Sequence, residues 1–554
     1  MMRGYLFLAL IFLSSMVASQ SNSTMSGTFL ASRFSSSVND YNKSAIYTFS
    51  MIEKGNKQPE IYNDALLFLI AAGKFEKAFF LAETMEKMNL RSPALGLILV
   101  IKSIKAGKYD VAIELMSKFE GHLPSILKIS IEGWIHVGNG DLEAAEQKFD
   151  AFKTSDLNFD LGAYYKAIAY AQVGDYTKAS KIIRENKKNS GLLGVTYEIF
   201  QANVASLAHS PTIGTSILDQ TIKESPNKLT LMQLHKKISE LNSNNLEVFK
   251  TTWEGIADTL LLFAEVDNQR GNYNLIETFY CQLAKYVSNN SSRFNIRLAK
   301  SLSKVKLIDE AVNSLNLIKP SDIFYAESKV LLADLLTNSS QENLAVKELK
   351  KLIEIGVTNF EVYEALGNVY RYGEQFDLAS KAYSEALRLK KKSDLEDQNS
   401  WLIYFFRGIA REQLKEYKDS IADLRKSLEL RPAQPQVLNY LGYMLIERKE
   451  NLDEALDMIE LAVEKSPESG YIIDSLAWGL YQLGRYEEAI TPMEQAISLE
   501  PEDPIVNDHF GDVLWKVGRK REAYFQWKRV LLFQPSEKLQ LDIKKKLKEG
   551  LEDL

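Results

Sequence analysis

The side chains able to do chemistry are few, and their spacing suits none of the usual reactions. Acids stand side by side at Glu487-Glu488 and one turn apart at Asp508 and Asp512. A glycosidase pair also needs a cleft that raises one pKa, and on helices such pairs are more often a solvated face. His509, in Asn507-Asp508-His509, is the one histidine flanked by polar partners, and its simplest role is a helix residue bridging to the next repeat unit. The five histidines, at 122, 136, 209, 235 and 509, show no HxxxH or HExxH spacing. Cys281 is the single cysteine, which excludes an internal disulfide and a cysteine zinc cluster. Beside Tyr280 it reads as a small buried hydrophobe. Met85, Met88 and Met116 fall at core spacing, and no GxGxxG, Walker-type loop or GxSxG elbow occurs. Catalytic, cofactor and metal sites are therefore all expected to be absent, and the chain reads as a non-enzyme.

Composition agrees with a helical scaffold. The chain has 554 residues, 45% apolar and 25% charged, an ordinary core-forming balance. Its 28 glycines and 13 prolines are few, against about 12% combined in average proteins. That points to helices joined by short loops. The net charge of −6 comes without a basic run, so no electrostatic footprint for nucleic acid is present.

The N-terminus reads as an address. Arg3 precedes an unbroken apolar run from Tyr5 to Leu13, followed by the small residues of a cleavage region, with a cut expected after Val17-Ala18-Ser19. The run is too short to span a bilayer, which needs about 20 residues. An uncleaved anchor and a mitochondrial presequence are the alternatives. No cysteine follows for a lipid anchor, and no other stretch is long and apolar enough to cross a membrane. Residues 1–19 are thus expected to be a signal peptide. An exported chain without disulfides suits a bacterial periplasm or cell envelope.

Alanines mark the elements that must position any site. Ala78, Ala112, Ala145 and Ala179 step by 34, 33 and 34; Ala311, Ala345 and Ala379 by 34 and 34; Ala455, Ala489 and Ala523 again by 34 and 34. Pro467, Pro501 and Pro535 keep the same period, and Gly484 to Glu488 is echoed by Gly518 to Glu522. The pattern resembles the tetratricopeptide repeat (TPR), a helical hairpin with a small residue in its first helix and an alanine early in its second. A large residue four positions after that alanine (Phe149, Tyr383, Met493, Trp527) fills the gap left by the small one. Glycines 73, 107, 140, 174, 484 and 518 fall in the intra-hairpin turn, where positive φ ends the first helix.

These signs predict an all-α TPR solenoid, a superhelix of two stacked segments with a capping helix. The divisions expected are 20–190 for an N-terminal array, 191–250 for a degenerate repeat or joint, 251–398 for a middle array and 399–535 for a C-terminal array. Within the joint, 196–207 and 213–223 read as a helix pair and 229–241 as a helix with no clear partner. The array resumes at Trp253 with Gly271-Asn272-Tyr273, and 390–399 reads as an exposed loop. Residues 536–554, with apolar residues at 539, 543, 547 and 551, read as a cap whose charged reverse face meets water.

The last two repeats, 471–478 and 503–512, are similar to a run found in large exported TPR proteins of proteobacteria. The resemblance implies a partner-binding scaffold and no defined activity. A clamp for chaperone tails is disfavoured, because of its inner-face residues only Asn368 is matched. The expected function is a protein–protein interaction scaffold; a TPR subunit or regulator of an envelope glycosyltransferase or protease complex is the alternative. The inner wall is expected to present Asn439, Tyr443, Asp474, Trp478, Tyr481, Asp508, Asp512 and Trp515. Acids beside aromatics suit a protein or peptide segment bearing basic and apolar residues; the other possibility is that the tryptophans pack between repeats and the acids solubilise.

Overall fold

The structure is a computed structural model that describes residues 24–152, 160–186, 195–224, 228–240, 246, 251–269, 274–288, 291–392 and 398–551. The expected signal peptide and Gly271-Asn272-Tyr273 lie outside these residues. Among the described residues regular structure is helical, without a strand. The chain divides into two compact units, 1–340 and 341–554.

The first unit opens with α1 (Met25–Ser37), α2 (Tyr41–Glu53), α3 (Pro59–Ala71), α4 (Phe75–Lys87), α5 (Pro93–Lys105) and α6 (Tyr109–Lys118). It continues with α7 (Ser125–Gly138), α8 (Leu142–Asp150), α9 (Leu161–Gln172), α10 (Tyr176–Glu185), α11 (Val195–Ala208), α12 (Pro211–Glu224) and α13 (Lys228–Glu240). It closes with α14 (Thr252–Gln269), α15 (Asn274–Val287), α16 (Ser292–Lys304), α17 (Ile308–Asn316) and α18 (Tyr325–Thr337). In the second unit, α19 (Glu342–Glu354), α20 (Phe360–Tyr372), α21 (Phe376–Lys392), α22 (Trp401–Gln413), α23 (Tyr417–Leu430) and α24 (Pro435–Glu447) come first. They are followed by α25 (Leu452–Lys465), α26 (Gly470–Gln482), α27 (Tyr486–Leu499), α28 (Pro504–Lys516), α29 (Lys520–Val530) and α30 (Glu537–Glu549).

Each hairpin is held by the close crossing that the sequence encodes. A Cβ on Gly511 would lie 2.4 Å from the Trp527 indole, and one on Gly133 2.4 Å from the Phe149 ring. Gly367 likewise sits against Tyr383. Only a missing side chain lets the first helix approach these rings so closely. The turn glycines all take positive φ, from 68° at Gly73 to 86° at Gly174. Where glycine is missing, the turn keeps the same shape: Lys306, Ser340, Glu374, Lys415 and Lys449 adopt φ between 55° and 64°. Stacking therefore forces a left-handed conformation that costs an L-residue about 1–2 kcal/mol.

Helices α11 and α12 form a hairpin where the degenerate pair was expected. Helix α13 packs on both and on α18, so it does have partners. The stretch expected as an exposed loop at 390–399 differs. Helix α21 runs on to Lys392, and Lys390 is buried with its ammonium 4.9 Å from the centre of the Phe360 ring. Its aliphatic stem packs as a hydrophobe while the charge rests on a π face. Residues 393–397 of that stretch lie outside the described residues.

Candidate functional site

In both units the first helices of successive hairpins pack on one another, α3 on α5, α20 on α22, α24 on α26 and α26 on α28. These helices form the inner wall, where a TPR array would meet a partner. The two walls are in different states.

The wall of the first unit is filled by the chain itself. Helix α14 packs on α7, and α15 packs on α3 and α5. Gly255 lets α14 lie flat on Trp134, since a Cβ there would come within 2.4 Å of the indole. Thr259 Oγ1 donates to the Tyr165 hydroxyl at 3.0 Å, and Gln282 Nε2 to the Ala71 carbonyl at 3.2 Å. Phe75 and Tyr286 stack at 4.7 Å. Residues Ile256, Ala257, Leu260, Phe279 and Leu283 join one continuous core with α3 to α9. Buried charges lock this plug of α14 and α15 to α16: Asp258 pairs with Arg293 at 3.0 Å, and Glu277 with Lys304 at 2.9 Å and Arg297 at 3.2 Å.

The eight sequence-predicted site residues lie on α24, α26 and α28; seven of them separate into three groups and Trp515 stands apart. Asp474, Trp478 and Tyr481 come together around His509. The Trp478 ring stacks on His509 at 4.0 Å and on Tyr481 at 4.8 Å, and His509 Nδ1–H donates to Asp474 Oδ2 at 2.9 Å. Asp508 and Asp512 receive Lys546 of α30, whose Nζ lies 2.6 Å from Asp508 Oδ1 and 2.7 Å from both Asp512 oxygens. Trp527 Nε1 adds a bond to Asp512 at 3.0 Å. Trp515 faces the other way, against Trp527, Tyr524 and the close approach of Gly550, with Lys520 over its ring at 4.7 Å. Asn439 and Tyr443 form the third group. They are half-buried on successive turns of α24; among the described residues Asn439 Oδ1 is buried with no donor, and Tyr443 makes no side-chain hydrogen bond.

Sequence reasoning missed the donors. From α22 onward, inner-wall acids accept from the helix two further along the chain: Glu412 from Tyr440 at 3.1 Å, Glu447 from Trp478 Nε1 at 2.8 Å, Asp474 from His509, and Asp508 with Asp512 from Lys546. The charges of α30 were expected to face water, yet Lys546 follows fully buried Ile543 by three positions and so flanks the apolar stripe. That offset was the available signal. Leu539, Leu547 and Leu551 pack beside Ile543 as a cap requires.

The electrostatics follow from this enclosure. Burial, then the neighbouring Asp508, pushes Asp512 up to about 6 against the pull of Lys546 and Trp527. At His509 burial works to lower the pKa, but Asp474, Asp508 and Asp512 together outweigh it and raise it. Lys546 is raised likewise, burial being outweighed by the two aspartates. Among the described residues no group of three or more His, Cys, Asp or Glu side chains could hold a metal ion, and no helix is long and apolar enough to cross a membrane.

Fold and wall define a helix-hairpin repeat protein that offers one inner surface filled by its own chain and another with unpartnered polar groups. Residues 359–534 match the tetratricopeptide repeat family, so that stretch is a TPR array. No curated protein matches the chain in sequence. Among solved structures it is similar to a chain of the APC/C hetero-tetramer Cut9–Hcn1, at 15% identity and a TM-score of 0.41, covering 97% of this chain and 98% of that one. MamA from Desulfovibrio magneticus RS-1 is 21% identical with a TM-score of 0.28, covering 32% of this chain and 97% of that one. YrrB, a TPR protein with an unusual peptide-binding site, is 21% identical with a TM-score of 0.28, covering 33% and 89%.

Proposed function

We propose that the protein is a non-enzymatic interaction scaffold of the bacterial cell envelope, exported by residues 1–19, that holds a partner segment along the second unit's inner wall. The observation that carries this reading is the state of α24 and α26. Asn439 and Tyr443 present polar groups without partners, next to the Trp478–Tyr481 stack. A buried amide oxygen costs free energy until something donates to it, and a peptide backbone N–H that reaches it as the half-buried side chain turns outward is a suitable donor. Stacked aromatics are the usual anchors of protein interfaces. Glu447 is exposed and bonds Trp478 through one oxygen, which leaves acceptor capacity for a lysine or arginine of the segment. The segment is therefore basic and apolar, extended or helical. Asp508 and Asp512 play no part in holding it, because Lys546 already does for them what the partner's cation would.

The test begins with recovery of partners on the mature chain from envelope extract, identified by mass spectrometry. The recovered segment is then titrated against wild type, Asn439→Ala with Tyr443→Ala, and Asp508→Ala with Asp512→Ala. The first pair should weaken binding at least tenfold with the helical content unchanged. The second pair should loosen α30 and leave affinity unaltered. Equal affinity for wild type and the Asn439/Tyr443 variant rejects the wall as the site. N-terminal sequencing of native material should begin within a few residues of Gln20; an intact Met1 on cytosolic protein refutes export.

A further inference from the structure

We propose that the first unit contains a separate site for a small oxyanion, a phosphate or carboxylate borne on a ring or short apolar frame. The site lies where the α14–α15 plug meets the ends of α3 and α5. A cavity of about 370 Å³ opens there, within the size range of small-molecule sites. Lys105 at the end of α5 and Lys285 near the end of α15 both line it, with Gln282, Tyr286, Asn313 and Ser314.

Two lysines 180 residues apart in sequence line this one cavity. Lys285 is half-buried, and among the described residues no carboxylate forms an ion pair with it. Its polar neighbour is the Ser314 hydroxyl, at 3.5 Å. Lys105 donates to the Val287 carbonyl at 3.2 Å and lies over the Trp253 and Tyr286 rings. Burial lowers the pKa of both lysines. A half-buried cation such as Lys285, held without a counter-charge, is costly, and the C-terminus of α15 beneath it repays that only in part. An oxyanion between the two lysines supplies the missing charge. Each ammonium has three donors, so Lys105 can bind it without leaving Val287. The Tyr286 ring, stacked on Phe75, gives the ligand's apolar part a wall. The acid that also lines the cavity, Glu310, is exposed, and the exposed Glu76 acts on Tyr286. Both set a preference for ligands whose charge reaches inward to the lysines.

This site shares no residue with the second unit's wall, so either reading can fail alone. The test uses the full chain with phenyl phosphate, benzoate and inorganic phosphate, at ionic strength matched with sodium chloride. Benzyl alcohol serves as the neutral comparison. Phenyl phosphate or benzoate should raise the melting temperature and change Trp253 fluorescence. Lys285→Met should weaken binding at least tenfold, and Lys285→Arg should retain it. Whichever of the two aromatic anions binds tighter assigns phosphate or carboxylate as the ligand group. A second measurement needs no variant: acetic anhydride labelling of Lys285 at pH 8, read by mass spectrometry, should slow when the anion is bound. The proposal is overturned if no oxyanion acts beyond chloride, if benzyl alcohol acts equally, if Lys285→Met binds like wild type, or if labelling is unprotected.

Discussion

Replacing Lys546 with methionine keeps an unbranched stem beside Trp527 and removes the charge that joins α30 to α28. Asp508 and Asp512 are then left together with side chains 12% and 7% exposed. Removing one partner of a buried ion pair costs about 3–5 kcal/mol. Proton uptake limits that loss, because the Asp512 carboxyl already titrates near 6 in the folded protein. Neutralising it at pH 7 costs about 1.4 kcal/mol, at about 1.4 kcal/mol per pH unit. At pH 5 it already carries the proton, and only the pairing of Lys546 with Asp508 is lost. The variant should therefore lose about 2–3 kcal/mol at pH 7 and about 1 kcal/mol less at pH 5. Urea unfolding at both pH values, with amide exchange over residues 504–549 to localise the effect, measures it. A loss below about 1 kcal/mol at pH 7, or an equal loss at both, refutes the ion triad as the anchor of α30.

Gly511→Ala should destabilise the last hairpin by about 1–3 kcal/mol, because Trp527 is fully buried and tied through Nε1 to Asp512 and cannot yield to the new methyl; unchanged exchange protection in α28 and α29 contradicts this. Lys415→Gly should stabilise by about 0.5–1 kcal/mol, since glycine relieves the φ of 64° at an exposed turn at some entropic cost; a lower unfolding midpoint contradicts it. The region α28–α30 should lose stability as pH rises from 4 to above 7. Folded Asp512 keeps a proton from about 3.9 to about 6 that the unfolded chain has released, and His509 adds a contribution present below 6.5 and lost through its raised folded value. Exchange protection corrected for intrinsic rates should fall over this range, and a rise refutes the assignment.

What the sequence determined by itself is everything that a hairpin and its immediate neighbour enforce. Alanine and glycine at the crossings, a ring four residues on and the turn glycines are local needs of a close-packed pair, so they recur at the period and can be read. The apolar stripe of α30 was legible for the same reason, as was the burial of Cys281. That Asn439, Tyr443, Asp474, Trp478, Tyr481, Asp508, Asp512 and Trp515 fall on alternate helices of successive hairpins also followed from register. Their occupancy did not. Asp508 and Asp512 looked available because Lys546 lies 38 and 34 residues away on a helix whose charges read as solvated. The left-handed turns at Lys306, Ser340, Glu374, Lys415 and Lys449 left no mark, since the stack imposes the conformation on residues that do not favour it. The filling of the first inner wall was least visible of all. The bonds from Gln282 to Ala71 and from Lys105 to Val287 join residues 211 and 182 apart. No period links such residues, and only the return of α14 and α15 onto α3, α5 and α7 decides that this wall is closed.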